Sequence, residues 1–270
     1  MKKLLFILAA SFSLFSKIEE KPFVIIIPSY NNEKFCIANI NSALDQRYQN
    51  YRIIFINDCS SDRTLELVKK TVSKSHKQEI VTIIDNTTRQ LALANYYYVI
   101  HNNTKDDEII ITLDGDDMLA SPYVLKHLNL AYSNREKEIW LTYGQMRFLS
   151  NPKARSWVCD MPKKIVKENR FREYTHLPSH LRTFYSWLFK LIDIEDLQEN
   201  GEFYPMTWDV AMMLPMIEMA RDHFMFIPHV LYVYNDTNSI SDHQIDQKLQ
   251  LDLSKKIRAK PSYIPLPCQP

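Results

Sequence analysis

The stretch Ile109-Ile110-Ile111-Thr112-Leu113-Asp114-Gly115-Asp116-Asp117 decides the fold class of this chain. An apolar, strand-forming run ends here in a cluster of carboxylates, and Gly115 lets the backbone turn sharply after the strand. Carboxylates this close repel one another, and a divalent cation with oxygen ligands is the usual compensation. Because open α/β sheets bind ligands beyond the carboxyl ends of their strands, the stretch predicts a metal site at that edge. A solvent-exposed acidic turn is the alternative, but the third carboxylate and the apolar strand favour the site.

Similar apolar runs occur before this strand, and helical patterns separate them. The predicted strands cover residues 23–28, 51–56 and 79–84, and the predicted helices cover residues 33–44, 88–101 and the segment that carries Leu65, Leu67 and Val68. Ser60 or Ser61 is expected to cap this last helix. Buried strands that alternate with helices predict an α/β fold with a mostly parallel sheet, right-handed crossovers and cover on both faces.

The alternation of strands and helices weakens after Pro122. The sequence then predicts a helix at 123–134, a strand at 139–149, a loop-rich region at 151–180, a helix at 208–219 capped by Thr207, a strand at 224–234 and a terminal helix at 244–257.

The composition excludes several functional classes. The chain has 270 residues and a formal net charge of +1, so its overall charge gives no general attraction to nucleic acid. It contains only 3 glycines, and neither a G-x-G-x-x-G fingerprint nor a P-loop can be written from it. The 4 cysteines are scattered without a C-x-x-C pair or a zinc spacing, so free thiols are expected.

The first residues form a separate segment. Met1-Lys2-Lys3 precedes the apolar run 4–15, which is the pattern of a secretory signal peptide, with a short hydrophobic anchor as the alternative. We therefore assign residues 1–16 to a signal peptide or short anchor. If this segment is functional, we expect a secretory-pathway or membrane-associated protein, and otherwise a cytoplasmic one.

Four motifs that each follow a predicted strand resemble the inverting GT-A glycosyltransferases, specifically glycosyltransferase family 2. They are Pro28-Ser29-Tyr30-Asn31, Ile56-Asn57-Asp58-Cys59-Ser60-Ser61-Asp62, residues 89–95 and Leu113-Asp114-Gly115-Asp116-Asp117. Each motif is weak alone, but four in order at one sheet edge are specific. The resemblance implies a Rossmann-like nucleotide-sugar-binding half at 22–135, fused to a smaller acceptor-binding and catalytic-base half at 136–245. A C-terminal helix and tail follow at 246–270.

The resemblance also implies a nucleotide-sugar donor, with a UDP-sugar favoured. Asp58 would accept a hydrogen bond from a uracil ring, although family members often carry Asp-Asp-Gly where this chain has Asn57-Asp58-Cys59. Arg89 would contact the base or the diphosphate, because its fork matches planar anionic groups, and a solvated helix-start cation is the alternative. The other donor-binding residues implied in this way are Pro28, Tyr30, Asn31, Asp114 and Asp116.

A divalent cation, Mn²⁺ or Mg²⁺, is implied as the cofactor. Asp116 would bind it, with Asp117 as an alternate or outer ligand, and the cation would neutralise charge on the departing diphosphate. His243 is the first choice for a third ligand and His229 the second. A structural or solvated histidine is the more frequent situation for such a residue.

The acceptor side of the reaction needs a base. The resemblance points to Asp209, which begins a predicted helix whose N-terminus favours the ionised carboxylate, while simple helix capping is the alternative. Backside attack by the acceptor hydroxyl would invert the anomeric centre. Residues implied on the acceptor side are Arg182, Trp187 and Trp208, and Trp157 could also stack on a sugar face.

The predicted function is therefore metal-dependent, inverting sugar transfer from a nucleotide sugar to a hydroxyl of a glycan, lipid or protein. Nucleic acid is not an expected partner, and membrane association is expected to depend on the N-terminal segment. Two alternatives stay open at this point. One is a non-catalytic nucleotide-sugar or carbohydrate-binding protein on the same fold, and the other is a metal-dependent nucleotidyltransferase or phosphohydrolase.

Overall fold

The structure is a computed structural model that describes residues 18–154, 156–176, 178–238 and 246–269. The N-terminal segment predicted at 1–16 and the predicted metal ligand His243 lie outside these residues. Within them, no helix is both long enough and apolar enough to cross a membrane.

Strands and α-helices alternate through the first half of the described chain. The strands are β1 (Phe23–Ser29), β2 (Tyr51–Asn57), β3 (Val81–Asp85), β4 (Ile109–Thr112), β5 (Met118–Leu119), β6 (Leu141–Phe148), β7 (Thr183–Tyr185), β8 (Gln198–Glu199), β9 (Glu202–Phe203) and β10 (Phe224–Tyr234). The helices are α1 (Cys36–Leu44), α2 (Thr64–Lys74), α3 (Ala92–Asn103), α4 (Val124–Tyr132), α5 (Lys163–Glu168), α6 (Ser186–Lys190), α7 (Trp208–Ala220) and α8 (Gln247–Ala259). The predicted strands and long helices are therefore present, with shifts at their ends.

Eight strands form one sheet in the order β3-β2-β1-β4-β7-β6-β10-β5, and β8 pairs with β9 in a separate hairpin. β1 is parallel to β2 and β4, β2 is parallel to β3, and β6 is parallel to β10. β7 runs antiparallel to both β4 and β6. The carboxyl ends of β1–β4, β6 and β10 consequently lie at one edge of the sheet. The predicted mostly parallel sheet is confirmed.

The central strands are buried on both faces. Every residue of β4 is buried, and in β1 only Pro28 is partly exposed. Successive residues of a strand point to opposite faces, so continuous burial means that both faces are covered. The sheet also runs through both predicted halves, because β5 from the first half pairs with β10 from the second.

The capping contacts of two helices differ from the prediction, and each difference has a local cause. α2 is held at its start by Asp62, whose Oδ1 accepts hydrogen bonds from the backbone and hydroxyl of Thr64, so neither Ser60 nor Ser61 is the cap. Thr207 precedes α7 in the left-handed region (φ 60°), and its hydroxyl donates to the carbonyl of Gln250 in α8 instead of capping α7.

A buried ion pair joins the end of the chain to α7. The Arg172 guanidinium donates to both carboxylate oxygens of Glu218, at 2.7 and 2.9 Å, and to the carbonyl of Ile257 at 2.6 Å. Glu218 is completely buried and also accepts from the backbone N–H of Tyr263. Because a buried charge is costly unless it is paired, removal of either Arg172 or Glu218 would leave the other as an unpaired buried charge.

We expect Glu218→Ala to lower the free energy of unfolding by about 3–5 kcal/mol, because it leaves Arg172 as an unpaired buried cation. Urea denaturation followed by circular dichroism measures the loss. Glu66→Ala is the matched control, since it removes an ion pair with Arg63 that lies in solvent, and its effect should be far smaller. Equal losses in the two variants would contradict the assigned role of the buried pair.

Candidate active site

A cleft of about 250 Å³ opens at the carboxyl edge of the sheet. The end of β1, the turn after β4, the segment before β7 and the start of α7 all contribute side chains to it. The described residues that line it include Pro28, Tyr30, Arg89, Asp114, Asp116, Asp117, His180, Arg182, Trp208, Asp209 and Asn238. The sequence thus brings most of the predicted donor and acceptor residues into one cavity.

The acidic turn lies unusually close to β1. A Cβ atom on Gly115 would sit 2.5 Å from the Ser29 hydroxyl oxygen and 2.8 Å from the carbonyl oxygen of Pro28. These separations are too short for any side chain at residue 115, so glycine is required by the approach of two backbones. The carboxylates on either side of Gly115 are thereby held against the end of β1.

Asp114, Asp117 and His180 form a group that could hold a metal ion. One ligand atom from each lies within 4.8 Å of the other two. The predicted set was Asp116, Asp117 and His243. Asp117 is retained, Asp116 is not part of the group found among the described residues, and His243 lies outside them. His229, the second choice, is exposed and does not line the cleft, and its ring centroid lies 5.7 Å from that of His127.

Asp117 is the most buried of the three acids, with 1% of its surface exposed. The Tyr232 hydroxyl and the backbone N–H of Asn235 each donate to it at 2.6 Å. Burial, and then the charges of Asp116 and Asp114, raise the pKa of Asp117 well above its ordinary value, and these two hydrogen bonds oppose the rise. Burial and the two neighbouring carboxylates therefore both disfavour the ionised form of Asp117.

Asp116 points towards the chain beyond β10. Its Oδ2 accepts a hydrogen bond from the Asn238 side chain at 2.7 Å. Burial raises the pKa of Asp116, and the bond from Asn238 opposes this effect. Asp116 and Asp117 therefore both connect the turn after β4 to the end of β10.

His180 is buried among aromatic rings and a guanidinium. Its ring stacks on Tyr232, with centroids 4.5 Å apart, and the guanidinium nitrogens of Arg182 lie 3.1 and 3.2 Å from its two ring nitrogens. Burial, and then the Arg182 charge, lower the pKa of His180 well below its ordinary value. The imidazole is therefore neutral, which is the form that binds metal ions.

The carboxylate of Asp58 contacts the loop that follows β3. Asp58 is buried, and its carboxylate accepts hydrogen bonds from the backbone N–H groups of Gln90 and Leu91 and from the Asn86 side chain, at 2.8–2.9 Å. It is not among the residues that line the cleft. Asp58 fixes the loop 86–91, which delays the start of α3 to Ala92, and its contact with a nucleobase stays a prediction.

The loop held by Asp58 carries Arg89 to the cleft. The Arg89 guanidinium lies over the Tyr30 ring, 3.8 Å from its centroid, which is a cation–π contact. Asn31 does not line the cleft; its side-chain oxygen instead accepts from the backbone N–H of Ser61. Asn32, next in the chain, takes its place in the cleft wall.

Asp209 lies in the first turn of α7, as predicted. Its Oδ2 accepts from Arg182 at 3.3 Å and its Oδ1 accepts from the backbone N–H of Val210, while 37% of the side chain is exposed. Arg182 is buried and also lies over the Trp208 ring, 4.8 Å from its centroid. Trp208 in turn stacks on Tyr96 at 4.9 Å.

Two of the predicted aromatic contacts are placed elsewhere. Trp187 is buried and packs edge-on against Trp140, with centroids 5.2 Å apart, so it is a core residue and not an acceptor platform. Trp157 is exposed beside Phe148 and does not line the cleft.

The sequence interpretation missed His180 as a metal-binding candidate and Asn238 as a partner of the acidic turn. His180 stands two residues before Arg182, which the resemblance placed on the acceptor side, and this proximity was the available signal. Asn238 lies far along the chain, and no local pattern linked it to Asp116.

Comparison with known proteins defines the class of this fold and site. The family model described as glycosyl transferase family 2 matches residues 24–190, which is more than half of the chain. The chain belongs to this family, and the sequence-based assignment is confirmed.

Curated relatives share part of the chain. An uncharacterized glycosyltransferase of Haemophilus influenzae is 31% identical over 124 residues, which make up 46% of this chain and 46% of the relative. The putative glycosyltransferase EpsE of Bacillus subtilis is 31% identical over 94 residues, 35% of this chain and 32% of the relative. The matches thus span less than half the length of these relatives.

Solved structures confirm the predicted GT-A fold. Staphylococcus aureus TarS 1–349 in complex with UDP-GlcNAc has a TM-score of 0.57 and 16% identity, with 83% of this chain and 60% of that chain covered. The mannosyltransferase PcManGT from Pyrobaculum calidifontis, in complex with GDP-Man and Mn²⁺, has a TM-score of 0.59 and 15% identity. That match covers 91% of this chain and 66% of the mannosyltransferase.

The contacts of Asp58 predict that its carboxylate holds the loop 86–91, and amide hydrogen exchange in this loop tests that role. We expect Asp58→Asn to speed amide hydrogen exchange at Gln90 and Leu91 and to lower the free energy of unfolding by about 1–3 kcal/mol, because an amide replaces a buried carboxylate acceptor. Exchange measured by mass spectrometry or NMR reports the effect. Arg89→Ala is the control and should leave these two amides protected. Unchanged exchange in Asp58→Asn would contradict the loop-holding role.

Proposed function

We propose that this chain is a metal-dependent, inverting glycosyltransferase that moves a sugar from a nucleoside-diphosphate sugar to an acceptor hydroxyl. One observation carries the proposal. In a single cleft, the possible metal ligands Asp114, Asp117 and His180 converge within 4.8 Å, and Arg182 bridges His180 to the exposed carboxylate of Asp209. The cleft therefore combines a place for a diphosphate–cation pair with a base.

The residues of the metal group fit a divalent cation. Two carboxylates and a neutral imidazole suit Mn²⁺, and Mg²⁺ would use the carboxylates with water. The raised pKa of Asp117 supports this fit, because a nearby cation would compensate the crowded negative charge. When bound, the ion would stabilise negative charge on the leaving diphosphate. Mn²⁺ accompanies GDP-Man in the mannosyltransferase structure, which supports the same cofactor here.

Asp209 is the proposed general base. Each of its oxygens accepts one hydrogen bond from the protein, which leaves lone pairs for an acceptor hydroxyl. Asp209 lies in the first turn of α7, and its Oδ2 accepts a hydrogen bond from the Arg182 guanidinium. Asp209 would take the proton of the acceptor hydroxyl as its oxygen attacks the anomeric carbon. Because the attack comes from the side opposite the departing diphosphate, that centre is inverted.

The donor is proposed to be a UDP-sugar. Tyr30 and Arg89 stack at the end of β1 and offer a flat surface for a nucleobase, while Asp114 and Asp116 lie towards the ribose and diphosphate. UDP-GlcNAc is bound in the TarS structure, which supports a uridine nucleotide, while the mannosyltransferase structure holds GDP-Man. Trp208 and Arg182 line the same cleft beside Asp209 and would contact the acceptor, which is a glycan, a lipid or a protein.

Asp209→Asn is expected to reduce acceptor-dependent transfer by at least about 100-fold, because the amide cannot take the hydroxyl proton. Release of UDP from a panel of UDP-sugars, with Mn²⁺ and candidate acceptors, measures transfer. The donor dissociation constant should stay within about twofold. Asp222→Asn, an exposed carboxylate just beyond the other end of α7, is the control that should retain full activity. Unchanged transfer in Asp209→Asn would remove this residue from the mechanism.

Mn²⁺ is expected to raise the thermal unfolding midpoint, and the shift should disappear in Asp114→Asn and in His180→Ala. At a 100-fold excess over the dissociation constant, binding to the folded state adds about 2.7 kcal/mol of stability. Differential scanning fluorimetry with and without EDTA measures this shift. His229→Ala removes an exposed imidazole outside the cleft and should leave it intact. A shift that survives both site substitutions would place the metal elsewhere.

A further inference from the structure

A second pocket lies on the far side of the loop 86–91 from the catalytic cleft. Its volume is about 330 Å³. The loop forms one wall and the outer face of α3 forms the other. The described residues that line it are Ile56, Ile84, Asn86, Thr87, Thr88, Gln90, Asn95, Tyr98, Val99, Asn102 and Asn103.

The lining has the chemistry of a site for an uncharged, hydroxyl-rich ligand. Among the described lining residues none is charged, and most carry an amide or a hydroxyl group. Such side chains both donate and accept hydrogen bonds, as a sugar hydroxyl also does. An anionic group, by contrast, would find no cationic side chain among these residues.

One side-chain amide in the pocket wall has a nitrogen without a hydrogen-bond acceptor among the described residues. Asn95 is 4% exposed, and its oxygen accepts from the Asn86 side chain at 2.8 Å. Its side-chain nitrogen finds no hydrogen-bond acceptor among the described residues. A buried donor without an acceptor costs free energy, and this one belongs to a residue of the pocket wall.

The pocket also has an aromatic platform at its rim. Tyr98 is 50% exposed. Its ring is fixed by edge-on contacts with Tyr97, at 5.5 Å, and with Phe203, at 5.8 Å. A rigid aromatic face beside amide side chains suits the C–H face of a pyranose ring together with its hydroxyl groups.

We propose that this pocket binds a neutral sugar unit of a glycan acceptor, at a distance from the unit that is modified. The proposal rests on the glycosyltransferase function proposed above and narrows the acceptor to a carbohydrate chain. The loop 86–91 connects the two sites. Asn86 contacts both Asn95 and Asp58, and the same loop presents Arg89 to the catalytic cleft. A glycan held here therefore contacts the structure that positions a donor-binding residue.

The test is NMR titration of the full chain with neutral oligosaccharides: maltotetraose, cellotetraose, chitotetraose and mannotetraose. The expected result is that at least one of them shifts the side-chain amide signals of Asn95, Asn102 and Asn103. Tyr98→Ala should weaken that binding by about two- to tenfold, the range expected for loss of an aromatic contact. Asn103→Ala should also weaken it.

Two controls separate this site from the catalytic one. Tyr123→Ala removes another exposed tyrosine, on the opposite part of the sheet, and should leave glycan binding unchanged. UDP binding measured by calorimetry should be the same in Tyr98→Ala as in the unaltered chain. If the unaltered chain does not bind UDP, the proposed donor is wrong, and the oligosaccharide titration still tests the pocket independently.

Three outcomes would overturn the proposal. The first is that none of the four oligosaccharides shifts the pocket amides. The second is that binding persists undiminished in both Tyr98→Ala and Asn103→Ala. The third is that uridine, and no oligosaccharide, shifts these signals, which would make the pocket a nucleoside site.

Discussion

The crowding of three carboxylates at the end of β4 is the constraint on which the rest of the site depends. Gly115 allows the turn to press against β1, and this contact fixes where the acids lie. Negative charges held so close in a buried corner need neighbours that donate hydrogen bonds or carry positive charge. Tyr232, the backbone of Asn235 and the side chain of Asn238 supply the hydrogen bonds, and His180 supplies the neutral nitrogen that completes a possible cation site.

Arg182 has a central place in this arrangement. It is a buried cation that touches His180 on one side and Asp209 on the other, with the Trp208 ring beneath it. Burial, and then its charge, lower the pKa of His180, so the imidazole is neutral. The same guanidinium thus contacts both a possible metal ligand and the proposed base.

Local patterns predicted the fold well where strands are continuous and apolar. The runs that became β1, β2 and β4 were identified from their continuous apolar residues, because burial on both faces leaves a strong signal. Helix starts were predicted less well. The start of α3 depends on Asp58 accepting from Gln90 and Leu91, and that contact joins residues more than thirty positions apart.

The candidate site likewise contains residues that local motifs identify and residues whose position depends on distant contacts. Asp114, Asp117, Asp209 and Trp208 could be named from motifs, since each follows a strand or lies at the start of a helix, and Arg182 could be named from the resemblance. His180 could not be assigned as a ligand from sequence, because its approach to the acids depends on β7 pairing antiparallel with β4. Trp187 was misplaced for a related reason. An aromatic residue suits a sugar platform and a core equally well, and only packing against Trp140 decides between them.

The bonds from the end of β10 to the acidic turn mean that the two predicted halves cannot be treated as separable modules. A fragment ending near residue 135 would expose Asp117 without Tyr232 and Asn235, and it would also lose the strand that pairs with β5. The nucleotide-facing surface is therefore completed by chain that is synthesised about a hundred residues later. During synthesis, the acidic turn can reach its final geometry only after β10 has been made.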